Sequence, residues 1–245
     1  NFSYNKNRVI DITNRTTAAS TYANSLVNVA DRPMYSLFSY RWAGLDPENG
    51  DPRVYDKDGN IVKSSNDVEN MVYSGTTRPP YSASMTNTLN YKGIGLSFMF
   101  IYNGGHVLRD EASEYLGSSI SSNIYRGALT YWKEPGDEKV PGMAPKANRL
   151  ATTAKKLLWY ASDIHIIKAD YIKLRDITLY YNLPKRWINK AKLENVTVKA
   201  QAQNLWWWAA NDSGIDPEAY SYSGGRGYRA LQDAPTYTLG LSFNF

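Results

Sequence analysis

The sequence predicts an all-β fold in which antiparallel strands form part of a transmembrane β-barrel wall, with long loops gathered at one end. Three observations carry that expectation: strands about as long as a bilayer is thick, a long-then-short rhythm of connections, and a chain that is both aromatic-rich and polar. With 20 Tyr and 7 Trp, aromatics reach 13% while charged residues stay at 21%, whereas a soluble core takes more of its volume from Leu, Ile and Val. No run approaches the ~18 apolar residues of a membrane-spanning helix, so any crossing must use strands.

The strand pattern is cleanest at the end. From Thr236 to Phe245 the odd positions Tyr237, Leu239, Leu241, Phe243 and Phe245 are apolar and the even ones small or polar, which predicts a lipid-facing row backed by a wet one. Upstream, Val196, Val198, Ala200 and Ala202 alternate with Thr197, Lys199, Gln201 and Gln203, and this second set is expected to face a water-filled lumen. Ile94 to Tyr102 forms another strand. Between Asp170 and Asn182 the parity switches, from Ile172 and Leu174 to Ile177, Leu179 and Tyr181, which predicts a bulge or an exit from the bilayer. Weaker strand candidates are Phe2 to Ile12, Leu37 to Ala43 and Met85 to Tyr91, making about seven in all.

Outer-membrane barrels put short turns on the periplasmic side and long loops outside. With the last residue fixed inside, the long connections Leu205 to Pro235, Gly104 to Ala169 and Gly44 to Ser84 fall outside, while Leu183 to Lys192 and Lys92-Gly93 are short and fall inside. Thr13 to Ser36 is the misfit, since it should be a short inner turn. Only Arg186 to Leu193 reads as briefly helical. The start at Asn1-Phe2-Ser3-Tyr4 looks like the middle of a strand and carries no signal-peptide order, so the chain is expected to be a fragment.

Motifs for chemistry are thin, and neither a catalytic residue nor a metal site nor a cofactor is expected. His106 and His165 lack partners at useful spacing and read as solvated loop histidines. Asp56-Lys57-Asp58-Gly59-Asn60 begins like a calcium loop, but its Gly comes two places early and Asp67 stands where Glu belongs, so a tight polar turn is expected. Asp46, Glu48 and Asp51 sit among two prolines and Gly50, a rigid turn before anything catalytic. Gly224-Gly225-Arg226-Gly227 precedes no helix and fails the test for a phosphate cradle. The glycosylation tripeptides at Asn14, Asn195 and Asn211 are short enough to arise by chance. A net charge of +5, spread along the chain, does not call for nucleic acid, and the lack of Cys removes disulfides and thiolate sites.

The candidate binding residues are aromatic: Trp206, Trp207 and Trp208, with Tyr220 and Tyr222 beyond them. At the outer end of a strand indole rings belong in a headgroup-level girdle. Because neighbours on a strand face opposite ways, an inward ring such as Trp207 can instead stack on a sugar or a peptide side chain.

Several segments also resemble the C-terminal region of SusC/RagA-type TonB-linked outer-membrane proteins. They are Phe2-Ser3-Tyr4-Asn5-Lys6-Asn7, the stretch Tyr40 to Pro52 containing Gly44-Leu45-Asp46-Pro47 and Gly50-Asp51-Pro52, Asp170 to Pro184, Gln203-Asn204-Leu205, Gly214-Ile215-Asp216-Pro217-Glu218, and Tyr237 to Phe245. Each motif is weak alone; together, in the family's order, they cover most of the chain. The triple Trp run and Asp233-Ala234-Pro235 depart from the usual pattern. What the resemblance implies is that residues 1–245 are the C-terminal strands of a large plugged barrel with long extracellular loops, the plug and N-terminal strands lying outside this chain. It implies a bacterial outer-membrane location, energy from TonB, a SusD-like surface lipoprotein as partner, contact with the rest of the same barrel and with lipid, a pairing of two transporter-lipoprotein units, and import of an oligosaccharide or peptide. The rival reading is a soluble or surface-attached β-sandwich that binds carbohydrate through exposed aromatics.

Overall fold

The computed structural model describes residues 1–12, 16–110, 129–147, 152–191, 193–223 and 226–244. Asn14, Gly224, Gly225 and Phe245 lie outside them. In chain order the elements are β1 (Phe2–Tyr4), α1 (Ala19–Asn24), β2 (Ser36–Leu45), β3 (Pro52–Tyr55), β4 (Ile61–Val62), β5 (Met71–Thr76), β6 (Tyr81–Tyr91), β7 (Ile94–Gly104), β8 (Val107–Arg109), α2 (Thr153–Tyr160), β9 (Ile166–Lys168), β10 (Tyr171–Asn182), α3 (Lys185–Ile188), β11 (Asn195–Ala209), β12 (Tyr220–Ser223), β13 (Arg226–Arg229) and β14 (Thr236–Asn244).

Six of these strands make the wall, an antiparallel sheet in the order β1-β6-β7-β10-β11-β14. Strands β6, β7 and β10 run 11, 11 and 12 residues and β11 runs 15, lengths that suit a tilted crossing of hydrocarbon. The connections alternate as a barrel requires. Residues 5–80, 105–170 and 210–235 leave from one end, and the Lys92-Gly93 turn and residues 183–194 from the other. Among the described residues the sheet is open, with β1 and β14 at its edges.

The expected strand at Leu37 to Ala43 exists but is not part of the wall. It is the middle of β2, which pairs with β3 and β5 in a separate four-stranded sheet, order β4-β3-β2-β5. Burial explains the placement: Ser36 to Tyr40 are buried on both faces, so no side of β2 is left for lipid or lumen. Likewise the strand expected from Phe2 to Ile12 is only Phe2–Tyr4. Thus β1 pairs directly with β6, the wall has six strands rather than about seven, and Thr13 to Ser36 is no misfit, because it belongs to a long connection at the loop end.

The hydrophobic core lies in that loop layer. Tyr22 and Ala23 of α1, Phe38 and Tyr40 of β2, Val54, Met71, and Leu157 and Leu158 of α2 pack into one buried cluster. Neither α1 nor α2 was anticipated. α2 is a short Ala-, Lys- and Leu-rich segment whose N-cap, Thr152, accepts from the Lys155 amide at 3.4 Å. The short helix expected at Arg186 to Leu193 is present as α3, followed by a 3₁₀ turn at Asn189–Ala191.

The turn between β2 and β3 is as rigid as its prolines suggest. The Asp46 amide donates to the Asp51 carbonyl at 2.8 Å, and the Asp46 side chain accepts from the Glu48 amide at 2.9 Å. Gly50 has φ +70°, and a Cβ there would come within 2.4 Å of the Trp132 ring, so only glycine closes this turn against that indole. The calcium-like stretch is also a tight turn, with Asp56 accepting from the Asp58 and Asn60 amides.

Candidate functional site

Cross-strand partners share a face of a sheet, so the register divides the wall into two surfaces. On one, Leu239 lies beside Ala200, then Leu179, Leu96 and Leu89; Leu241 lies beside Val198, Tyr181, Ile94 and Tyr91. Tyr237 and Phe243 extend this apolar surface against Ala202 and Val196. It is bare: Leu239 is 81% exposed and Leu241 63%. On the other surface a row runs Thr238, Gln201, Thr178, Ser97, Thr88.

This second face is tied together by side-chain hydrogen bonds. Thr178 donates to Asp176 at 2.9 Å, Gln201 donates to the other Asp176 oxygen, Thr197 donates to Asn182 at 2.7 Å, and Thr88 donates to Ser97 at 3.2 Å. Lys199 sits beside Tyr180 and Gly95, and Gln203 beside Asp176. Gly95 has a use here, since a Cβ would fall 2.0 Å from the Tyr180 ring, which crosses it to donate to Asn90. An unpaired polar row would be costly to bury, and these hydrogen bonds remove much of that cost.

The parity switch is a double bulge. Arg175 has no opposite number in β7, because Leu174 and Asp176 pair with the consecutive residues Phe100 and Met99. On the β11 side it is opposed by both Asn204 and Leu205, and Asn204 takes the left-handed conformation at φ 53°. Beyond the bulge Trp206 pairs with Leu174, Trp208 with Ile172, and Trp207 with Lys173. Trp206 and Trp208 therefore continue the apolar surface, and Trp207 shares the opposite one with Lys173. The Trp run is thus within β11, not in the loop from Leu205 onward.

Lys173 anchors what covers this end of the polar face. The Gly214-to-Glu218 motif folds back so that Lys173 reaches Asp216 at 2.6 Å and Glu218 at 2.7 Å, while the bulge residue Arg175 holds Glu218 at 2.5 Å. The Lys173 and Asp216 side chains are only 8% and 2% exposed, so each neutralises a charge that could not otherwise be buried. Burial alone would raise the Glu218 carboxyl, but the hydrogen bonds from Arg175 and Lys173 hold it below its usual value. Asn211 fixes the same loop, exchanging hydrogen bonds with the Ile215 amide and carbonyl at 3.0 and 2.9 Å.

Between this loop and the neighbouring connections lies a cavity of about 460 Å³, with Tyr35, Arg78, His106, Tyr171 and Glu218 on its wall. Tyr220 and Tyr222 line it too, and their hydroxyls are engaged with the Arg109 backbone: Tyr220 donates to its carbonyl, and the Arg109 amide donates to Tyr222 at 3.1 Å. Burial raises the Tyr222 hydroxyl, keeping it neutral. Arg109 itself is 1% exposed and donates to the Phe38 and Tyr160 carbonyls at 2.7 and 2.9 Å, stapling the β8–β9 pair to the loop core. Sequence reading passed over Tyr35 and Arg78, while Tyr171 and Glu218 fall within the segments Asp170 to Pro184 and Gly214 to Glu218 without having been singled out as site residues.

The histidines are not solvated. His106 and His165 are 7% and 5% exposed, and burial brings the first down to about 4, partly opposed by Asp170, and the second down to about 3, helped by Arg109. Both are neutral imidazoles packed on rings, His165 at 4.5 Å from Trp159 and His106 at 6.3 Å from Tyr171. Loop position misled the reading because these loops have a core of their own. Among the described residues no group of three or more His, Cys, Asp or Glu could hold a metal.

A six-stranded antiparallel wall, apolar on one face and hydrogen-bonded on the other, with its loops folded at one end, is the pattern of a transmembrane β-barrel segment. The chain is 25% identical to TonB-dependent receptor P3 of Formosa agariphila over 211 residues, 82% of this chain and 19% of that protein. To TonB-dependent receptor P26 of the same organism it is 24% identical, over 80% of this chain and 20% of the relative. Among solved structures, the RagAB peptide transporter superposes with a TM-score of 0.68 at 20% identity, covering 89% of this chain and 24% of that one. The RagAB peptide importer in its closed-closed state gives 0.68, covering 91% and 24%. No protein-family profile matches. In sequence the chain is similar to TonB-dependent receptors and in fold to the RagAB transporter, and it spans about a fifth of the length of the curated relatives it matches. That likeness replaces the soluble-sandwich alternative, and the bare apolar surface, on which no second sheet packs among the described residues, agrees.

Proposed function

We propose that residues 1–245 are the C-terminal barrel portion of a transporter that imports an oligosaccharide or a peptide across the outer membrane. The plug and the remaining strands belong to the rest of the same protein, TonB supplies the energy through that part, and a SusD-like lipoprotein closes the loop end, with two such units able to pair. The observation that carries the reading is the two-faced wall: Tyr237, Leu239, Leu241 and Phe243 share an exposed apolar face, which we assign to lipid, while Thr197, Lys199, Gln201 and Gln203 share the opposite, polar face, which we assign to the wet passage. RagAB, whose fold this wall shares, is described as a peptide importer, which favours a peptide cargo.

Within the passage Trp207 is the ring to contact cargo, since its register partner is Lys173, while Trp206 and Trp208 serve the lipid interface. Tyr220 and Tyr222 offer cargo their ring faces at the cavity, their hydroxyls being occupied. The test is uptake of labelled peptides and oligosaccharides by cells carrying the intact transporter or its Trp207→Ala form at equal surface levels. Loss of uptake with Trp207→Ala, and normal uptake with Trp206→Ala, is expected. Unchanged uptake with Trp207→Ala removes that residue from the passage, and uptake of neither cargo class removes the import reading.

A further inference from the structure

At the end of the wall opposite the cavity, two turns lie side by side and present cations over aromatic rings. The Asn182 amide donates to the Gly93 carbonyl at 2.8 Å, which ties the β6–β7 turn to the β10–β11 connection. Tyr91, Ile94 and Tyr181 are neighbours on the apolar surface, and the Trp187 ring meets Tyr181 edge-on at 6.4 Å. Tyr91 is 69% exposed and Trp187 56%. Lys92 Nζ stands 5.1 Å above the Tyr91 ring and the Arg186 guanidinium 5.7 Å from that of Trp187, with Lys185 and Lys190 exposed alongside.

Among the described residues none of these four cations has a carboxylate within 4.0 Å, in contrast to Lys57, Lys63, Lys155 and Lys173, which are each ion-paired. Glu194 is the one carboxylate on this connection, and its backbone amide is tied to the Asn244 carbonyl. The result is a rim where the apolar surface ends in exposed aromatic rings and where, among the described residues, the positive charge has no carboxylate partner. Tyr and Trp rings at such a boundary hold the depth of a barrel, but they need no cations. Cations whose alkyl stems run along rings while their heads reach outward fit a ligand with both acyl chains and a negative head.

We propose that this rim is a binding site for an anionic glycerophospholipid, its phosphodiester held by Lys92 and Arg186 with Lys190 in support and its acyl chains lying along Tyr91, Ile94 and Tyr181. The proposal rests on the barrel reading and deepens it, naming a lipid that the wall selects. The experiment uses the intact transporter, reconstituted in nanodiscs of phosphatidylcholine with and without phosphatidylglycerol, and reads by native mass spectrometry the lipids that stay bound. A preference of about fivefold or more for phosphatidylglycerol is expected, in line with one extra cation-headgroup contact. It should vanish in K92Q/R186Q/K190Q and persist in K92R/R186K/K190R. Equal retention by wild type and K92Q/R186Q/K190Q overturns the proposal, as does full competition by inorganic phosphate, which would make the rim a simple anion site. A protein that washes from membranes in salt without detergent would instead sink the barrel reading itself, so the two failures are separable.

Discussion

At the scale of single residues, the buried titratable groups of the loop layer have the clearest consequences. His106 and His165 are held neutral by burial at about 4 and 3, against 6.5 for an exposed imidazole. Their folded values lie below the unfolded one, so the unfolded chain binds more protons in between, and stability that is fully present above pH 6.5 is lost as pH falls toward 4. Near pH 5 each histidine should cost the loop layer about 2 kcal/mol. Hydrogen exchange of residues 106–110 and 162–168, corrected for intrinsic rates, should therefore speed up between neutral and mildly acidic pH, and His165→Gln should flatten the response. A flat wild-type profile would mean that the imidazoles are open to water. Neither histidine's burial was legible from sequence, because His106 packs on Tyr171 and His165 lies beside Arg109, both more than 50 residues away and set by folding of the connections.

At the scale of elements, the bulge in β10 and the returning Asp-Pro-Glu loop act as one unit. The parity switch was readable because period-two alternation is local, but what Arg175 and Lys173 reach is not: their partner Glu218 lies 43 residues from Arg175. Lys173→Met should strand the buried Asp216 carboxylate and cost the loop about 3–5 kcal/mol, seen as rapid exchange across residues 211–219 with the wall unchanged. Pairing it with Asp216→Leu should restore much of that loss, since no charge is then left buried. If Lys173→Met leaves the loop protected, the ion cluster does not hold it. Glu218 is a third exposed and shares two cations, so Glu218→Gln should cost less, about 1 kcal/mol.

At the scale of the whole molecule, the two faces of the wall make opposite predictions for one substitution. Leu239→Lys puts a charge on the apolar surface one row in from the Tyr91, Ile94 and Tyr181 rim and should destabilise the inserted barrel by up to about 2–4 kcal/mol, whereas Gln201→Lys, on the hydrogen-bonded face, should insert normally. Folding into lipid vesicles, followed by heat-modifiable gel mobility and denaturant titration, reads the difference; equal behaviour would remove the distinction between lipid and lumen. The sequence alone located the five long strands of the wall, their two-sided alternation, the bulge and the alternation of long and short connections, because each is written in residues a few places apart. Only the tertiary structure decided that Leu37 to Ala43 leaves the wall for a second sheet, that the loops own the hydrophobic core, and that Tyr220 and Tyr222 spend their hydroxyls on Arg109. Those outcomes depend on partners such as Phe38 with Arg109 and Tyr222 with Arg109, 71 and 113 residues apart, and no local period encodes a contact at that range.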